Sequence, residues 1–82
     1  MTIHIIHENK TYVGRVVYNF NQISNAIALL FDKPIYNNKT HILLKFDENI
    51  SMWIDEDEIY KNDSVLFGQI LNKINNLLKE KV

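Results

Sequence analysis

The last third of the chain places Phe67, Ile70, Leu71, Ile74, Leu77 and Leu78 at spacings of three and four residues. An apolar stripe with that period describes a helix that must lay one side on something else. The opposite side, with Gln69, Asn72, Lys73, Asn75 and Asn76, is polar, and the closing lysines suit the negative end of a helix dipole. A helix over 63–80 therefore needs an apolar surface to cover. With 82 residues there is room for one core, so the rest of the chain must supply that surface. Gly68 inside the stripe costs about 1 kcal/mol relative to Ala, which points to tight packing there.

The preceding segments carry a different period. Ile3 and Ile5 alternate with Thr2 and His4, "HENK" supplies a polar turn, and a β-branched, aromatic run follows. This predicts a hairpin over 2–19, with Tyr12, Val16 and Tyr18 on one face of its second strand and Val13, Arg15 and Val17 on the other. Gly14 within that strand is read as a bulge in preference to a close backbone approach. A second hairpin is predicted over 41–55, with "DEN" (47–49) as its turn. In that register Ile42, Leu44 and Phe46 share a face with Ile50, Met52 and Ile54, while Leu43 and Trp53 lie opposite.

Between the hairpins, Ile23, Ala26, Ile27, Leu30 and Phe31 fall on one helical face. Asn19 and Gln22 fit a capping box, with Tyr18 able to staple onto Ile23, so a helix is expected over 20–32. Pro34 and the Asn37–Asn38 pair stop it. The order is then ββαββα. The fold class is α+β: one small domain over 1–82, an antiparallel sheet of about four strands packed with two helices.

The chain has no cysteine, which excludes disulfides, thiolate nucleophiles and cysteine-bound zinc. No apolar run is long enough for a membrane span and the N-terminus lacks a signal-peptide pattern, so a cytoplasmic location and no membrane partner are expected. The abundance of Asn, Ile and Lys hints at an AT-rich genome, such as that of a low-GC bacterium or its phages and plasmids. The net charge of −1 conceals a strong asymmetry. Residues 1–46 hold five basic residues against two acids, whereas 47–63 hold seven acids against Lys61 alone.

Those acids include the run Asp55, Glu56, Asp57 and Glu58. It is not a calcium loop, because Ile59 stands where an oxygen ligand belongs and Tyr60 replaces the turn glycine. His4 and His7 point to opposite faces of a strand, which suits no shared metal, and no serine sits in a nucleophile elbow. No catalytic, cofactor-binding or metal-binding residue is assigned, and no cofactor is expected. The run is a solvated turn or a docking surface. As a surface it comprises Asp47, Glu48, Trp53, Asp55, Glu56, Asp57 and Glu58, with tryptophan as its anchor.

The function expected on these grounds is that of a small non-enzymatic protein-binding module. Its partner would be a protein with a basic surface, reached by electrostatic steering, as a phage- or plasmid-type inhibitor of a nuclease or nucleic-acid-binding protein would reach it. Apolar residues on both faces of several strands also raise a homodimer. The alternative is a homodimeric nucleic-acid-binding regulator using the basic N-terminal half, with Tyr12 and Tyr18 as stacking surfaces. The low density of basic residues and the nearby acids disfavour direct binding to nucleic acid.

Overall fold

The computed structural model describes residues 1–18 and 26–80. Five strands come first, β1 (Thr2–His7), β2 (Lys10–Tyr18), β3 (Ala26–Phe31), β4 (His41–Asp47) and β5 (Met52–Asp55). Two helices follow, α1 (Ile59–Asn62) and α2 (Ser64–Glu80). The strands form one antiparallel sheet in chain order. The architecture is α+β, with five strands where about four were expected and both helices after the last of them.

β1 and β2 form the expected hairpin. Glu8 and Asn9 both take positive φ, 51° and 64°, the two-residue geometry whose twist matches that of the flanking strands. Alternation then sorts the side chains. Ile3, Ile5, Tyr12, Gly14 and Val16 are buried on the inner face, and His4, Val13 and Arg15 are exposed on the outer one.

Residues 26–31 are a strand and not the second half of a helix over 20–32. The proposed cap at Asn19–Gln22 lies outside the described residues. "AIALLF" is apolar at every position, so a helical face can be drawn through it as readily as a strand. Tertiary pairing decides: β3 hydrogen-bonds β2 on one side and β4 on the other.

The second hairpin forms, but in another register. Its loop is the four residues Glu48–Ser51, closed by Asp47↔Met52, rather than the three-residue "DEN". Asp47 Oδ1 accepts the Asn49 N–H at 2.9 Å, and Ser51 takes positive φ. Changing the loop length by one residue turns every side chain of β5 to the other face. Trp53 therefore packs inside, edge-on to Phe46 with ring centroids 5.4 Å apart, while Met52 and Ile54 face out.

Leu66, Phe67, Ile70 and Ile74 of α2 and Ile59 of α1 join the inner-face residues Ile3, Ile5, Tyr12, Val16, Leu29, Ile42 and Leu44 in one core cluster. Val13, Leu30, Leu43, Met52 and Ile54 do not belong to it. Both helices thus cover the inner face.

Gly14 and Gly68 have the reverse of their expected roles. The ladder is continuous through Gly14 without a bulge, and a Cβ there would lie 2.7 Å from the Phe31 ring. At Gly68 a Cβ would meet nothing within 4 Å. Gly14→Ala is expected to destabilise by about 1–3 kcal/mol through overpacking. Gly68→Ala should stabilise by about 0.5–1 kcal/mol. Urea unfolding of the two variants checks both signs.

The free edge of β1 is guarded. Val16 N–H donates to Met1 O, so alternation directs the backbone groups of Thr2, His4 and Ile6 away from β2. Gln69 of α2 meets one of these sites: its Oε1 accepts the Ile6 N–H and its Nε2 donates to Ile6 O, both at 2.8 Å. The carboxamide occupies the positions that a neighbouring strand's peptide group would take, a recognised way of blunting an edge. Gln69→Ala should leave the circular dichroism unchanged and speed amide exchange at Ile6 by about tenfold or more.

Candidate functional site

The acidic run is a folded corner. The register that brings Trp53 inside also places Asp55 opposite Leu44, on the inner face, where it is only 6% exposed. A buried carboxylate needs hydrogen-bond donors. Three are present: the backbone N–H groups of Asp57 and Ile59 donate to Oδ2 at 3.1 Å, and that of Tyr60 donates to Oδ1 at 3.3 Å. Ile59 and Tyr60 open α1, so Asp55 satisfies backbone donors at the start of that helix. Glu58, at the cap position itself, is left-handed (φ 58°) and makes no side-chain capping bond.

Asp57 is also occupied. Its Oδ1 accepts from Lys39 Nζ at 2.9 Å. Lys39 closes the tight turn Tyr36–Lys39, in which Asn37 and Asn38 take positive φ. The bond ties the β3–β4 connection to the corner after β5. Hydrogen bonding to Asp57, and then its charge, raises the Lys39 pKa above its ordinary 10.5. Lys39 is therefore charged at neutral pH, and what its raised pKa contributes is lost in alkali as the lysine deprotonates.

One residue past the end of α1, Asp63 bridges the helices. Its N–H caps α1 at Ile59 O, and its Oδ1 accepts the Leu66 N–H at 3.1 Å as the N-cap of α2. His7 Nε2 lies 3.9 Å from Asp63 Oδ2 and 3.8 Å from Glu8 Oε1, which places the first hairpin turn beside this cap.

The residues named as a docking surface are therefore dispersed. Asp47 and Glu48 lie at one end of β5, and Glu56, Asp57 and Glu58 at the other, about 10 Å of strand away. Trp53 is half-buried against the core and Asp55 is buried. Asp55, expected in a solvated turn or a docking surface, instead points inward, and the chain folds back over it. Glu48, Glu56 and Glu58 remain as exposed acids. Tyr12 is in the core and Tyr18 packs against it, which removes the stacking platform of the nucleic-acid alternative.

A surface that the acidic run overshadowed is the outer face of the sheet. Cross-strand pairing sets Val17, Ala28 and Leu43 in one row. Thr2, Arg15, Leu30 and His41 form the row on one side of it, and Ala26, Lys45 and Ile54 the row on the other. Val13, Leu30 and Met52 are 36%, 38% and 40% exposed. Strand alternation in β2 and β4 was the sequence signal for most of this face; the hairpin register hid the parts contributed by Met52 and Ile54.

Among the described residues no three histidine or acidic side chains converge to hold a metal ion, and no helix is long and apolar enough to cross a membrane. Comparison with protein-family models, with curated proteins and with solved structures finds no match to this chain.

Asp55→Ala leaves three donors without their acceptor and is expected to cost about 2–4 kcal/mol. Glu56→Gln, at an exposed acid with no such bonds, should change stability by less than about 0.5 kcal/mol. Thermal unfolding of the pair at one pH distinguishes a structural corner from a solvated turn.

Proposed function

We propose that this chain is a small non-enzymatic protein-binding module that engages its partner through the outer face of its sheet. The observation that carries this reading is the placement of both helices on the inner face, which leaves Val13, Leu30 and Met52 open to solvent. Val13 and Leu30 are diagonal neighbours on β2 and β3, with Met52 at the far end of the sheet, and clustered exposed apolar residues mark interaction surfaces more often than isolated ones do. The core of an interface is typically apolar and poor in charge, with charged residues at its rim. On this face Val17 and Leu43 are half-buried beside Ala28, which is only 1% exposed, and the row they form is bordered by Arg15, Asp32, Lys45 and Asp47.

The acidic corner gives less support to a partner with a basic surface, because Asp55 and Asp57 are engaged within the fold. Leu30→Asp and Met52→Asp should abolish recovery of the partner from host extract, measured by quantitative mass spectrometry against the unaltered protein. Glu56→Gln combined with Glu58→Gln should leave it intact. The opposite pattern returns the function to the acids.

A further inference from the structure

The two edges of the sheet are finished differently. At β1 the Gln69 carboxamide meets both backbone groups of Ile6. At β5 the backbone stays open. Phe31 N–H donates to Thr40 O, so alternation along β4 turns the backbone groups of Ile42 and Leu44 toward β3. Those of Lys45 and Asp47 turn toward β5, where their partners Ile54 and Met52 turn back to meet them. The N–H and C=O of Trp53 and the N–H of Asp55 are left on the free side, while Asp55 O accepts the Glu58 N–H. Among the described residues no other group bonds to that side.

Charge selects what this edge can take. From Asp47 to Glu58 the chain has six acids and no basic residue. Glu48 stands exposed before β5, and Glu56 and Glu58 stand exposed after it. The nearby lysines are fewer and partly engaged: Lys39 is bonded to Asp57, Lys61 lies over the Tyr60 ring, and Lys45 is one strand in. A short strand with charge at its ends deters a strand that brings no countercharge. A second copy paired antiparallel about Trp53 would set Glu48 against Glu58, so like charges would meet at both ends.

We infer that β5 is a second docking site, separate from the outer face, at which an extended segment of a partner protein adds antiparallel as a sixth strand. Its backbone exchanges hydrogen bonds with Trp53, and its apolar residues lie beside Met52 and Ile54. Basic residues at its two ends meet Glu48 and Glu56. An extended chain rises about 3.4 Å per residue, so basic residues about six positions apart reach past both ends of β5.

The test uses the full chain and a fluorescent, end-capped heptapeptide, alternating threonine and valine between two terminal lysines. A twin carries glutamates in place of the lysines. Fluorescence anisotropy is expected to show saturable binding of the lysine peptide and at least about tenfold weaker binding of its twin. N-methylation of the threonines, whose N–H groups face β5, should abolish binding. N-methylation of the valines, whose N–H groups face away, should spare it. Glu48→Lys with Glu56→Lys should reverse the preference between the peptides while circular dichroism stays unchanged. Bound peptide should also slow amide exchange at Trp53 by about tenfold or more. Equal binding of the two peptides, equal effects of the two methylations, or no binding by the folded protein overturns the inference. So does indifference to the charge reversal, unaltered exchange at Trp53, or concentration-dependent self-association that the peptide displaces.

Discussion

The carboxylate of Asp55 sits where the chain must leave the sheet and begin to cover it. β5 ends there, and within four residues the backbone has turned through a left-handed Glu58 into α1. Such a turn leaves backbone donors pointing inward with no strand or helical partner. Asp55 accepts three of them from a position 6% exposed, so a single side chain makes the corner compatible with burial. Asp63 repeats the device one step later at the start of α2. The two caps together fix where α2 begins, and hence that its stripe falls on Ile3, Ile5 and Tyr12.

This dependence explains why negative charge is concentrated in so short a stretch. Asp55 and Asp63 serve backbone amides, and Asp57 holds Lys39 and with it the turn between β3 and β4. Carboxylates are well suited to the task, because hydrogen bonds to an ionised acceptor are roughly twice as strong as neutral ones. Only Glu56 and Glu58 of the run are left to solvent. The charge asymmetry along the chain thus has a structural cause.

A sheet covered on one side has two exposed liabilities, an edge and a face. The edge at β1 is answered by the Gln69 carboxamide, which satisfies Ile6 without inviting another strand. The outer face receives no comparable covering from α1 or α2. Strand pairing at the edge of β1 is thus opposed, while Val13, Leu30 and Met52 stay exposed on the outer face.

Much of this was legible in the sequence, because local periodicity and turn chemistry act over a few residues. The first hairpin, the strand at 41–47, the facing of Tyr12 against Val13, and the helix after Asp63 all follow from alternation, from positive-φ turn residues and from spacings of three and four. Three features did not follow. Ala26–Phe31 is apolar throughout, so its period was undecided until β2 and β4 paired with it. The β4–β5 loop could close over three residues or four, and that difference of one residue chose whether Trp53 and Asp55 face the core or the solvent. Once Asp55 faced inward, the meaning of the whole acidic run changed with it. The sequence alone determined the elements with a clear period and the total charge. Pairing between distant segments decided which side of the sheet each charge occupies, because facing is a property of register, and register is set only when strands meet.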